Sequence, residues 1–100
     1  MLSRVRRAAR VDDNQGEIVK ALRAAGATVQ SIAAIGKGAP DILVGYRGRN
    51  LLMEIKDGSK PKSRQSLTAL EADWHTVWRG QVCIVNSSDQ AVKLTLGLDP

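Results

Sequence analysis

Two short apolar runs separated by a glycine-centred turn constrain this chain more than any other stretch of it. The first run is Asp41-Ile42-Leu43-Val44-Gly45-Tyr46 and the second is Asn50-Leu51-Leu52-Met53-Glu54-Ile55-Lys56, with Arg47-Gly48-Arg49 between them. Runs of this length around so short a linker predict a β-hairpin. Side chains alternate across a strand, so Glu54 and Lys56 share one face while Met53 and Ile55 take the other. A two-residue loop at Arg47-Gly48 sets Asp41 opposite Glu54. A four-residue loop, Arg47 to Asn50, sets Asp41 opposite Lys56. Either register gathers the three charges on one face, whereas a three-residue loop without a bulge slips the pairing by one and breaks the set. Like charges directly opposed destabilise a sheet. Asp41 against Glu54 is therefore a liability unless a cation sits between them.

Two carboxylates and an amine so placed can hold a divalent metal over a phosphodiester, and the charge of the chain suits that substrate. The formal net charge is +5 and the sequence pI near 9.9, a balance that favours a polyanionic partner. Position sharpens the point. Arg4, Arg6, Arg7 and Arg10 crowd the N-terminus, and Lys56, Lys60, Lys62 and Arg64 crowd the segment after the carboxylates. With 100 residues, 43% of them hydrophobic, the chain supports one core and no second. Cys83 is the single cysteine, so no intramolecular disulfide can form, and its apolar run makes it a core residue of a reducing compartment. No apolar stretch approaches a membrane span, and the basic N-terminus lacks the apolar core of a secretory signal. These features predict a soluble, cytoplasmic protein.

The rest of the chain supplies the frame. Residues 1–11 form a basic arm without apolar periodicity, and residues 12–100 form a single domain. Asp12 or Asp13 caps a first helix that ends at Gly26, with Ile18, Leu22 and Ala25 as its buried stripe. A strand is predicted from Ala27 to Ile35, broken by Gly36-Lys37-Gly38, and Ala39-Pro40 forces an extended entry into the hairpin. After the polar stretch from Asp57 to Ser63, Thr68-Ala69-Leu70-Glu71 is a capping-box pattern that starts a second helix reaching about Trp78. Gln81 to Asn86 is the last strand, and Ser87-Ser88-Asp89 caps a closing helix from Gln90 to about Leu96. The expected class is α/β, with helices flanking a small mixed sheet.

This order, with Pro40-Asp41 opening the second strand and Glu54-Ile55-Lys56 closing the third, resembles the restriction-endonuclease-like αβββαβ core of PD-(D/E)xK nucleases. The closer resemblance is to VRR-NUC domains, particularly small stand-alone versions from bacteriophages and prophages. It spans about residues 12 to 95. The stretches that carry it are Asn14-Gln15-Gly16-Glu17-Ile18-Val19, Gly38-Ala39-Pro40-Asp41-Ile42-Leu43-Val44, Met53-Glu54-Ile55-Lys56-Asp57-Gly58 and Trp78-Arg79-Gly80-Gln81-Val82. The resemblance implies metal-dependent DNA cleavage in a bacterial host cell, with some phage members acting as homodimers on branched DNA such as Holliday junctions. Symmetric cutting needs two sites, which a twofold homodimer supplies.

Residue by residue, the resemblance implies that Asp41, Glu54 and the Ile55 carbonyl bind the metal, with Glu17 of the first helix as an additional ligand and Gln15 in support. Oxygen-only coordination with retained waters suits Mg²⁺ or Mn²⁺. Lys56 lies beside two carboxylates, which favour its charged form, so positioning of water and phosphate suits it better than base catalysis. The family places a glutamine on the helix after Glu-x-Lys. Here Glu71 occupies the equivalent place, with Gln65 as the alternative. Lys37, Lys60, Lys62 and Arg64 are candidate phosphate contacts, which position DNA without reading its sequence. His75 is expected to pack or face solvent, and Trp74 and Trp78 to serve a core or dimer interface. The rival readings are a nicking, flap or duplex nuclease of the same fold, a non-catalytic DNA-binding subunit, and a structural protein whose charge confers only solubility.

Overall fold

The computed structural model describes residues 13–97. The basic arm, the candidate cap Asp12 and the last three residues lie outside that range. Three helices and four strands follow in the order α1 (Gln15–Ala24), β1 (Thr28–Ser31), β2 (Ile42–Tyr46), β3 (Arg49–Ile55), α2 (Ala69–Val77), β4 (Val82–Val85) and α3 (Ser88–Leu96). The strands form one sheet in the order β1-β2-β3-β4. The first three are antiparallel, and β4 returns through α2 to lie parallel to β3, so the sheet is mixed as expected. Among the described residues, no helix is long and apolar enough to cross a membrane.

The hairpin settles into the two-residue register. Tyr46 pairs with Arg49 and Ile42 with Met53. Arg47 and Gly48 both have positive φ, 52° and 78°, as a type I′ turn requires. Beyond the last pair, the Asp41 N–H donates to the Met53 carbonyl at 3.0 Å. That bond is one residue out of the ladder's register, so regular pairing ends at Ile42, and the Asp41 side chain meets Glu54 in a shared cleft instead of as a ladder pair.

Residues facing one another across a ladder share a face of the sheet, and this divides the molecule. Ile42, Val44, Leu51, Met53, Ile55 and Val85 are buried on one face under Ile18 and Leu22 of α1 and Ala91 of α3, with Cys83 half-buried against them. The opposite face carries Asp41, Glu54 and Lys56 and is approached by α2. The helix starts close to the loop before β2: a Cβ on Gly38 would collide with the Leu70 carbonyl, so the loop can pass only as glycine. The free side of that glycine is filled by the start of the helix.

Several boundaries moved. The strand expected from Ala27 to Ile35 stops at Ser31, and Ala33–Ile35 turns into a 3₁₀ helix. The last bond of that edge runs from the Ile32 N–H to the Asp41 carbonyl at 2.9 Å. Next on the partner strand comes Pro40, which has no N–H to continue the ladder. Asn14, and not Asp13, occupies the N-cap of α1, and its side chain caps nothing. Its Nδ2 instead donates to the Lys56 and Asn86 carbonyls at 3.2 and 3.3 Å, tying the start of α1 to the ends of β3 and β4. The Thr68–Glu71 capping box and the Ser87 cap form as the sequence predicts, although the Ser87 cap starts α3 earlier, at Ser88.

Candidate functional site

A cleft of about 390 Å³ opens on the α2 side of the sheet, lined by Asp41, Glu54, Ile55 and Lys56 from the hairpin end and by Glu71 and Thr68 from the start of α2. Its remaining wall is the connecting loop, including Lys60, Arg64 and Asp57. The side chains are held from several directions. Asp41 Oδ2 accepts from the Ile55 N–H at 2.7 Å, which fixes the carboxylate beside the strand end. Lys56 Nζ donates to Glu71 Oε1 at 2.8 Å and stands 3.9 Å from Glu54 Oε2. The same Glu71 Oε1 accepts from the Thr68 N–H at 2.9 Å. Glu71 is therefore a helix cap and a cleft residue at once, and the cap is what fixes where its charge stands.

Of the carboxylates lining this cleft, Asp41, Glu54 and Glu71 stand together around the Lys56 ammonium, and the imbalance falls on Glu54. Its side chain is only 2% exposed. Burial, then the charges of Asp41 and Glu71, push its pKa up to about 9. Glu71 goes the other way. Burial alone would raise it, but the hydrogen bond from Lys56, the Thr68 N–H and the Lys56 charge together hold it below the ordinary carboxylate range. Negative charge at Glu54 is thus what the cleft lacks compensation for, and a divalent cation is the compensation its chemistry suits.

The donors present are two carboxylates and a main-chain carbonyl. Among the described residues, no three His, Cys, Asp or Glu side chains are grouped as a metal cage. A set of two carboxylates completed by water fits Mg²⁺ or Mn²⁺, which keep several waters, better than it fits zinc.

The other candidates divide. Glu17 does not join the cleft. It is exposed on a neighbouring hollow of about 620 Å³ with Asp13, Asn14, Gly58, Ser59 and Asn86, and Asp57 lines both spaces. Helix α1 packs on the core face of the sheet, and Asn14 ties its start to the Lys56 carbonyl, which places Glu17 beside the strand ends in the adjoining hollow. Gln65 turns into its own loop, where Nε2 donates to the Lys60 carbonyl at 2.7 Å, so Glu71 is the residue of that pair at the cleft. Gln15 is buried at the start of α1. Lys60 and Arg64 line the cleft, with Lys60 Nζ 3.4 Å from Asp13 Oδ2, while Lys37 and Lys62 are exposed outside its lining. The tryptophans are not core: α2 buries no residue fully, and Trp74 and Trp78 stack with centroids 4.6 Å apart, Trp78 exposed. Cys83 is half-buried, and burial pushes its thiol up to about 11.

His75 is the residue that the sequence reading passed over. Its Nε2 stands 4.0 Å from Glu54 Oε1, and its side chain is 15% exposed. The signal was available in its spacing. Residues four apart lie on one face of a helix, so a helix that aims Glu71 at the sheet aims His75 there too.

No protein-family model matches the chain, and no curated protein matches it. Among solved structures, a VRR_NUC domain is similar over 85% of this chain and 92% of its own length, with a TM-score of 0.63 and 26% sequence identity. Four strands in a mixed sheet with flanking helices, and the hairpin end opening on a charged cleft, thus make the chain similar in fold to a VRR_NUC domain, a nuclease-like α/β fold.

Proposed function

We propose that this protein is an Mg²⁺- or Mn²⁺-dependent endonuclease that hydrolyses phosphodiester bonds in DNA. The observation that carries the reading is Glu54, a buried acid set beside Asp41 and Glu71 at the open end of the sheet in a nuclease-like fold. Packing alone gives no reason to keep such a group, and a cation in the cleft gives one. Asp41, Glu54 and the Ile55 carbonyl would hold the ion. When bound, it supplies charge stabilisation for the phosphate and a water acidified towards neutrality. Glu17, one hollow away, stands outside this donor set.

The chain's own groups do the rest. Lys56, held by Glu71, presents a fixed positive charge that orients the attacking water and the phosphate. Lys60 and Arg64 hold the DNA backbone at the mouth of the cleft, and Lys37 and Lys62 extend the contact beyond it. One such site cuts one strand, so we further propose a homodimer acting on branched DNA such as a Holliday junction. The apolar residues left exposed on α2 and the edge strand β4 support a self-association face: Leu70 is 63% exposed, Val77 70%, Trp78 44% and Ile84 43%.

The test is cleavage of end-labelled four-way junction, flap, duplex and single-stranded DNA with Mg²⁺ or Mn²⁺, comparing wild type with Asp41→Ala and Lys56→Ala. Metal-dependent cutting that both variants lose is the expected result. Cutting that survives unchanged in both sinks the site assignment. Salt-sensitive binding without cutting of any substrate establishes the DNA-binding subunit instead.

A further inference from the structure

Glu54 is asymmetrically supplied. Its Oε2 stands 3.9 Å from Lys56 Nζ, while Oε1 is buried and has no hydrogen-bond partner among the described residues. His75 Nε2 stands 4.0 Å from that oxygen, also buried and also without a partner among the described residues. His75 lies outside the cleft lining and meets Glu54 through Oε1, whereas Lys56 meets it through Oε2. Its ring is braced edge-on by Trp74, with centroids 5.7 Å apart and planes at 69°.

We propose that His75 is a positioning residue for Glu54: its Nε2–H donates to Glu54 Oε1 and so turns Oε2 towards the cleft. The inference rests on the reading of Glu54 as a metal ligand. Two buried polar atoms left unpaired each carry an uncompensated desolvation cost. A leucine would pack beside Trp74 without that cost, so packing does not account for an imidazole here. The present separation exceeds hydrogen-bond length by about 1 Å, a small rotation of either side chain. Catalytic contacts commonly close by such amounts only when the site is loaded. A carboxylate that ligates a metal through one oxygen needs a donor on the other to keep its orientation, and loss of such a donor typically weakens metal binding about 10–100-fold.

His75 is the only histidine of the chain, so its ring nitrogens give a single set of NMR signals. The metal-free protein, with the ring neutral, should show the Nε2–H tautomer, and Glu54→Gln should shift the Nε2 resonance. Mn²⁺ affinity, followed by EPR without DNA, should fall at least about tenfold in His75→Leu. His75→Gln, whose amide N–H reaches the same place, should recover most of the loss. An Nδ1–H tautomer, or a ring signal indifferent to Glu54→Gln, overturns the contact. Wild-type Mn²⁺ affinity in His75→Leu overturns the positioning role alone. Equal weakening in both His75 variants together with a lowered Tm assigns His75 to packing and also overturns it. If wild type binds no Mn²⁺ at all, the proposed function fails, and the positioning role with it.

Discussion

Glu54→Gln separates the electrostatics of the cleft from its packing. The buried Glu54 has its pKa pushed from 4.5 to about 9, first by burial and then by Asp41 and Glu71. At neutral pH the folded, metal-free protein therefore carries it protonated, while the unfolded chain carries it ionised. The folded state then binds the extra proton, so stability is complete below pH 4.5 and declines as pH rises towards 9. The limiting slope is about 1.4 kcal/mol per pH unit, so the loss by neutral pH is on the order of 3 kcal/mol. For a domain of about 100 residues that is a fall in Tm of roughly 10–20 °C. Glutamine has nearly the shape of the protonated acid and no proton to lose. Metal-free Glu54→Gln should therefore hold its Tm between pH 5 and 8 and melt about 10 °C or more above wild type at pH 8. Glu71 acts in the opposite sense, its contribution fading only as pH falls through its depressed value, so it does not disturb this range. Mg²⁺ should raise the Tm of wild type at pH 8 and leave the variant where it was. Thermal melts by circular dichroism across pH, with and without Mg²⁺, decide the matter. A variant that melts no higher than wild type at pH 8, or that keeps the wild-type slope, refutes the buried-acid argument.

Glu71→Gln keeps an oxygen for the Thr68 cap but gives up the charge that holds Lys56. Its stability should stay within about 1 kcal/mol of wild type while single-turnover cleavage drops at least about tenfold, a loss of about 1.4 kcal/mol in transition-state stabilisation. Gly38→Ala forces a side chain onto the Leu70 carbonyl at a φ of 85°. Strain and overpacking together should cost about 2–4 kcal/mol, read in urea unfolding, and the displaced α2 should weaken cleavage as well. Arg47→Asn places the residue preferred by a type I′ turn at a φ of 52° and should raise stability by about 0.5 kcal/mol with cleavage unchanged.

Most of the frame was legible in the sequence because it follows from local rules. Two short apolar runs around Arg47-Gly48 specified the hairpin, and Thr68 with Glu71 specified where α2 begins. The α/β order followed from the turn residues between elements. Alternation also put Glu54 and Lys56 on one face, and a two- or four-residue loop added Asp41 to it. Local rules failed where a partner strand decides the outcome. The stretch from Ala27 to Ile35 has a strand-like composition, yet it stops pairing at the point where Pro40 offers no donor.

The site was legible only as far as the sheet carries it. A sheet fixes which side chains share a face, so the hairpin acids could be paired from their spacing alone. Which helix meets that face is a matter of packing, and spacing does not encode it. Glu17 and Gln65 sit at plausible intervals along the chain, but α1 packs on the core side and the connecting loop takes up Gln65 for itself. Glu71 and His75 reach Glu54 because the capping box and the close passage of Gly38 set α2 over the charged face. The sequence by itself determined that two acids and a lysine would crowd one end of a hairpin. Only the tertiary structure decided how deeply Glu54 is buried there and which side chains of α2 stand next to it, because burial and helix docking depend on residues far apart in the chain.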